Sequence, residues 1–522
     1  MRLALLALAL VAAVPADAQP ALIPLPAEMA LLGGAPFEMT GATPIRFDAT
    51  DAEVARIAAM LDALVGPSRG EVTNPPGVPA DGPDPRAGVV SLTLAERPDL
   101  GAEGYDLEVT ARGVEVVAAT PAGLFYGVQT LRQLMPPRVE YGAALPRGFE
   151  VPAVRIRDRP RFAWRGMMLD VSRHFFGVED VERVLDLMAL HKLNRLHLHL
   201  SDDQGWRVSV PSRPRLTSIG GLSAVGGGPG GFYTVADMER IVAYAAERFI
   251  TVIPEIDLPG HTNAALTSIA EINCDGRARA PYTGTRVGFS SVCVEKEETY
   301  AFVEDVVDAL AMQVPAEVVH LGGDEVQRLS GEQYAAFMAR AQEIVAARGK
   351  TFMGWDEIAE ADLDLIPGSI VQVWRPQSAE RARHVADAVA AGARQVLSPA
   401  DRVYLDIKYD ASTVLGLTWP GLNGVRDAYD WDPGTLVPGV PEAAVLGVEA
   451  PLWSETLSTV RDIEFMAFPR LAGVAELGWT PQAERSWTGY RARLGAFGPR
   501  WDALGVAFFR SPEVDWHLGG VE

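Results

Sequence analysis

The chain is short of cysteine, histidine and cationic residues for its length, and each shortage excludes something. Only Cys274 and Cys293 are present among 522 residues, so a disulfide framework is ruled out and at most one loop-closing bridge remains, which an oxidising compartment would allow. Lys and Arg number 46 against 68 Asp and Glu, a formal net charge of -22. Polyanion binding rests on clustered cations, so nucleic acid is excluded as a partner and a neutral or cationic substrate is expected. Acidity of this size also serves solubility. Beyond the first residues no stretch is long and apolar enough to span a bilayer as a helix, and no membrane partner is expected.

What is present starts with "MRLALLALALVAAVPADAQP": one Arg, an apolar run, then Ala16-Asp17-Ala18. That order reads as a secretory signal over residues 1–18, cleaved after Ala18. The expectation is a soluble exported bacterial protein, periplasmic or secreted, without a lipid anchor because no Cys follows the cleavage point. The remaining length of about 500 residues suggests two to four domains, and 48% hydrophobic residues supply large cores.

Residues 19–152 alternate in short runs, as in "GVVSLTL" and "YDLEVTARGVEVVAA", the second breaking at Arg112-Gly113 like two strands about a tight turn. "TPAGLFYGVQTLRQLM" follows with helical spacing and a Thr120-Pro121 start. This predicts a small α+β domain, with the Pro-rich stretch 74–86 as a loop within it. From 153 to 522 the pattern changes to apolar strands that end in polar residues and are separated by helix-length segments such as "GVEDVERVLDLMALHK", "TVADMERIVAYAAERF" and "SGEQYAAFMARAQEIVAARG". Eight strand-helix units predict a parallel (β/α)8 TIM barrel with a C-terminal helical extension. A doubly wound sheet would carry a Gly-rich phosphate loop after its first strand, and none follows here.

The strand ends collect Asp170, Arg173 and His174; Asp202 and Asp203; Glu255, Asp257 and His261; Asp324 and Glu325; Trp355, Asp356 and Glu357; Trp374; Tyr404 and Asp406; Trp453 and Glu455. The C-terminal end of the strands is where such barrels keep their sites. Each residue alone has an ordinary reading, the Trp as core and the Asp as a helix cap. Their convergence on one face suits a sugar, whose hydroxyls take charge-assisted hydrogen bonds while its C–H faces stack on indoles. His197 and His199 share one strand face, a spacing that can hold a metal with Asp324 or His261 added, so a metal-dependent hydrolase stays open. With 8 His in all, the pair reads mainly as packed, hydrogen-bonded barrel residues. The adjacency of Asp324 and Glu325 is itself odd, since neighbours on a strand point to opposite faces.

"RGMMLDVSRHFF" (165–176), "LHLSDDQGWR" (198–207), "PEIDLPGH" (254–261), "HLGGDEV" (320–326), "GWDE" (354–357), "VYLD" (403–406) and "PLWSE" (451–455) together resemble the β-N-acetylhexosaminidases of glycoside hydrolase family 20. The resemblance runs over nearly the whole mature chain, small domain included. It implies an exo-acting, retaining enzyme that removes terminal β-linked N-acetylglucosamine or N-acetylgalactosamine from an oligosaccharide or glycoconjugate, with no metal and no cofactor. Catalysis would be assisted by the substrate, the 2-acetamido oxygen attacking the anomeric carbon to give an oxazolinium intermediate.

By the same resemblance Glu325 is the general acid and later the base, Asp324 accepts from the acetamido N–H, and Tyr404 donates to the acetamido oxygen. Trp355, Trp374 and Trp453 wall the methyl group, and Trp419 lines the same pocket. Arg173, Asp406 and Glu455 bind the remote hydroxyls. Asp202, rather than Asp203, orients His261, which tunes Glu325. Cys274 and Cys293 sit where the family often has a bridge. The stretches 220–233 and 423–444 match poorly and are expected to border the leaving-group side. A glycan-binding barrel without catalysis would have lost Asp324, Glu325 or Tyr404, and all three are present.

Overall fold

A computed structural model describes residues 20–39, 43–69, 88–142 and 148–517. The leader 1–18 and the Pro-rich stretch 74–86 lie outside the described residues.

The small domain is a six-stranded sheet with helices Ala52–Arg69 and Pro121–Leu134. Tyr105–Thr110 and Gly113–Ala118 form the expected hairpin, with Thr110 paired to Gly113, so the turn residues are Ala111 and Arg112 rather than Arg112-Gly113. Thr120 caps the second helix by accepting from the Gly123 N–H, and Pro121 fills a position whose N–H needs no partner.

The boundary expected at 152/153 falls later in the chain. Strand Val154–Asp158 lies in the small sheet, between Glu28–Leu31 and Tyr105–Thr110. Its residues alternate buried and exposed, as one face of an open antiparallel sheet requires. Its last residue fastens the two domains together. The buried Asp158 carboxylate accepts from Tyr105 OH at 2.6 Å, Lys192 Nζ at 3.0 Å and Trp479 Nε1 at 2.9 Å.

Eight parallel strands then close a barrel: Trp164–Asp170, Arg195–His199, Thr251–Glu255, Val318–His320, Thr351–Trp355, Ile370–Val373, Arg394–Leu397 and Val445–Leu452, the last pairing with the first. They are buried on both faces, because side chains fill the inside and helices cover the outside. The three helices read from spacing appear as Val178–Leu190, Val235–Ala246 and Gly331–Ala347. The latter two open with capping boxes, Thr234 with Asp237 and Ser330 with Gln333. Helices Arg470–Trp479 and Trp487–Ala503 form the C-terminal part.

Candidate active site

The adjacent acids are explained by the turn before them. After the strand Val318–His320 the backbone takes φ of +65° at Gly322, +105° at Gly323 and +53° at Glu325. A Cβ on Gly322 would lie 1.8 Å from Asp257 Oδ1, so only glycine fits, and Gly323 N–H donates to that same oxygen at 3.1 Å. The chain therefore leaves the strand's alternation before it reaches Asp324, and both acids address one cavity. Glu325 and His261 (φ +52°) both hold left-handed backbone, which costs an L-residue about 1–2 kcal/mol and clusters at functional sites.

That cavity has a volume of about 370 Å³ at the C-terminal end of the barrel. It is lined by Asp324, Glu325, His261 and Tyr404, by Arg173, Asp406 and Glu455, and by Trp374, Trp419 and Trp453. Five of its buried polar atoms have no hydrogen-bond partner among the described residues: Arg173 Nε, His261 Nε2, Asp324 Oδ1, Asp406 Oδ2 and Glu455 Oε2. Buried polar groups are normally paired, so this wall is built for a ligand rich in hydroxyl and amide groups.

Asp202 stands behind the lining. Its Oδ1 lies 3.2 Å from His261 Nδ1, and His261 Nε2 faces Glu325 Oε2 at 3.5 Å and Asp324 Oδ2 at 3.8 Å. Asp203 instead accepts from Asn263 N–H and Ser290 Oγ–H, pinning the neighbouring loop. Burial resists ionisation of Asp202, but Arg173 and His261 outweigh it and hold the carboxyl well below its usual range. Burial likewise lowers His261, and Asp202, Asp257 and Asp324 more than reverse that. Burial raises Glu325, yet the hydrogen bond and charge of His261 leave it below the usual carboxylate value. Asp324 is raised, first by burial and then by Glu325, with His261 opposing. The neighbours thus set the ionisation of the two adjacent acids apart. Tyr404 is pushed well up by burial and by Asp324 and Asp406, so it stays a phenol and a donor.

The aromatic wall has two layers. Trp374 stacks on Tyr404 at 6.2 Å and 11°. It is anchored by Asp356, which accepts from its backbone N–H, and by Glu357, which accepts from its Nε1–H at 3.1 Å. Trp453 lies under the Arg173 guanidinium at 4.8 Å. Trp419 is 55% exposed at the mouth, edge-on to Trp374 and Tyr404. Trp355, expected to wall the cavity with them, is 1% exposed and is not among the lining residues. It packs behind Trp453 at 5.8 Å and donates its Nε1–H to Glu255 at 2.9 Å, because the fifth strand turns its last side chain into the barrel.

Thr285, Val287 and Leu417 complete the lining and carried no sequence signal, being small or apolar residues in loops. Thr285 and Val287 sit on the segment between Cys274 and Cys293, whose sulfurs lie 2.14 Å apart. His197, His199 and Asp324 are not brought to one point. Among the described residues His197 groups with Glu255 and His320, and His199 with Asp202 and Asp257.

A TIM barrel whose strand ends surround one sugar-sized cavity with indoles, unpaired polar atoms and two differently tuned carboxyls defines a glycosidase. The sequence matches the model of the glycosyl hydrolase family 20 catalytic domain over residues 162–482 and that of the family's domain 2 over residues 19–159. The chain belongs to glycosyl hydrolase family 20. It is 43% identical to a β-N-acetylhexosaminidase of Cellulomonas fimi over 95% of this chain and 97% of that protein. Its fold superposes on the family 20 β-N-acetylhexosaminidase of Streptomyces coelicolor A3(2) with a TM-score of 0.91 at 50% identity, covering 97% of this chain and 99% of the other. A mutant Streptomyces plicatus β-hexosaminidase in complex with the product GlcNAc gives a TM-score of 0.91 at 50% identity over 97% and 98% of the two chains.

Proposed function

We propose that this protein is an exo-acting, retaining β-N-acetylhexosaminidase that removes a terminal N-acetylhexosamine by substrate-assisted catalysis. The observation that carries this reading is the set of unpaired buried polar atoms in a cavity of about 370 Å³, near the lower end for ligand sites and suited to one sugar residue. Arg173, Asp406 and Glu455 take the hydroxyls remote from the cleaved bond. Asp324 Oδ1 accepts from the acetamido N–H and Tyr404 donates to the acetamido oxygen, so the amide is held at both ends and its oxygen is aimed at the anomeric carbon. Trp374 and Trp453 exclude water that would compete with this internal nucleophile.

In the first step the acetamido oxygen forms a bond to the anomeric carbon while the glycosidic oxygen leaves with the proton of Glu325. The positive charge that develops on the amide faces the Asp324 carboxylate. In the second step water attacks the anomeric carbon, Glu325 takes its proton, and the oxazolinium ring opens to the free sugar with net retention. His261, oriented by Asp202, sets the protonation of Glu325 through both steps.

Two features support an exported enzyme, the leader-like opening and the close sulfurs of Cys274 and Cys293, which an oxidising compartment would join; chitin oligosaccharides, peptidoglycan fragments and host glycans all offer such an enzyme a terminal N-acetylhexosamine. Release of p-nitrophenol from the β-N-acetylglucosaminide and from the plain β-glucoside, with and without EDTA, tests the mechanism. Activity on the acetamido sugar alone, indifferent to chelation and lost in Glu325→Gln, is the expected result. Equal cleavage of both sugars would end the roles given to Asp324 and Tyr404, and chelator sensitivity would revive a metal mechanism.

A further inference from the structure

The barrel interior holds a buried polar chain of which the mechanism above uses only the outer end. Inward from the cavity, carboxylate and imidazole alternate: Glu325, His261, Asp202, His199, Glu255, His197, Glu449. Beyond the His261 contacts already given, Asp202 Oδ2 lies 2.9 Å from His199 Nε2, and His199 Nδ1 lies 2.5 Å from Glu255 Oε2. Glu255 Oε2 is then 3.1 Å from His197 Nε2, and His197 Nδ1 is 2.8 Å from Glu449 Oε1. The strand register builds this ladder, since His199 lies level with Asp170 on one side and Glu255 on the other.

His199 has a carboxylate oxygen at each ring nitrogen. A neutral imidazole has one N–H and could satisfy only one of them. Neither acid is free to supply the missing proton. Asp202 also accepts from Asp203 N–H at 2.6 Å and from Arg173 Nη2 at 2.7 Å; the Glu255 oxygen at His199 Nδ1 also faces His197 Nε2 at 3.1 Å, and against its burial His199, His320 and His197 hold this carboxyl well below its usual range. Both nitrogens of His199 must therefore donate, which makes the ring a cation. Asp170 and Asp257 are the further acids around it, Arg173 is the opposing cation, and the Trp453 ring closes over it edge-on at 4.9 Å. Burial pulls the His199 proton off, but Glu255, Asp202 and Asp170 more than hold it.

Asp202 is thus clamped through Oδ2 by two cations, His199 and Arg173, and this leaves Oδ1 as the atom that meets His261 Nδ1. We propose that His199 is a positioning residue for the general acid: a permanently charged imidazolium that fixes Asp202, and through Asp202 and His261 fixes Glu325. The proposal rests on reading Glu325 as the general acid, and Arg173 couples the same clamp to the hydroxyl-binding end of the cavity.

Two measurements on the full chain test it. In the wild type labelled with ¹⁵N-histidine, the assigned His199 ring should show two protonated nitrogens through neutral pH and well above the usual imidazole range. A neutral His199 ring at pH about 7 would overturn the proposal without any variant. The second measurement compares His199→Gln with wild type on a dinitrophenyl glycoside, whose leaving group needs little acid help, and on N,N'-diacetylchitobiose, whose leaving group needs much. Loss of acid catalysis should lower kcat/KM by about 100-fold on the disaccharide and by less than about fivefold on the dinitrophenyl sugar. An equal loss on both substrates would mean a merely structural residue. Glu325→Gln in the same pair separates the failures: if it shows no leaving-group dependence, the assignment of the general acid is wrong whatever His199 does.

Discussion

Replacing Tyr404 by Phe isolates one hydrogen bond at the reacting group. The ring is 3% exposed and is caged by Trp374 at 6.2 Å, Trp419 at 6.0 Å and Trp453 at 6.3 Å. Phe fills the same space, so the fold should hold and the melting temperature should move by no more than about 2 °C. In the proposed mechanism the lost hydroxyl donates to the acetamido oxygen as that oxygen becomes the nucleophile, and then to the oxazolinium ring. Deleting a preorganised donor of this kind costs about 2.7–4 kcal/mol, or about 10²–10³ in kcat. The assay is kcat and KM on the p-nitrophenyl β-N-acetylglucosaminide, with thermal melting alongside. A fall in kcat with little change in KM is expected, since the aim of the amide matters more in the transition state than in binding. A variant that melts normally and keeps more than about a fifth of the wild-type kcat would refute the contact between Tyr404 and the amide.

His261→Gln should shift the pH profile. Burial raises Glu325, but the His261 cation wins and holds the carboxyl low; without the cation its proton is kept to higher pH. The acid works only when protonated, so the alkaline limb of kcat/KM for the disaccharide should move up in pH while the maximum falls; a limb that moves down would contradict the pairing. Trp419→Ala removes a half-exposed ring at the mouth, and a loss of about tenfold in kcat/KM with unchanged melting is expected; an unchanged kcat/KM would remove Trp419 from the sugar's path. Asp158→Ala strands the buried Lys192 ammonium and the Tyr105 and Trp479 donors between the domains. Denaturant unfolding should show a loss of about 3–5 kcal/mol, and a loss under about 1 kcal/mol would deny that Asp158 fastens the two units.

The barrel was legible because its strands are buried on both faces and so appear as unbroken apolar runs that end in polar residues. Val154–Asp158 lies on the small-domain side of the boundary, and "VRIRD" alternates as a half-exposed strand does. Its neighbour in the chain is the first barrel strand, but its neighbours in space lie far earlier, and pairing at that distance leaves no local mark. Trp355 was legible as a strand-end indole but not as one turned into the barrel beneath Trp453, because the face a terminal residue takes depends on the tilt of its strand. Thr285 and Val287 carry no chemistry of their own. They reach the cavity because the ends of their loop, Cys274 and Cys293, are brought together.

By itself the sequence determined the residue types and their order: eight apolar strands, the acids and indoles at their ends, and two glycines before Asp324. These follow from local rules of burial, periodicity and backbone sterics, which act over a few residues. Only the tertiary structure decided that Asp203 turns to Asn263 and Ser290, that His199 lies between two carboxylates, and that five polar atoms of the cavity wall are left unpaired. Charge and hydrogen bonding act over a few ångströms of space, and barrel closure, not chain order, sets which groups come within that range.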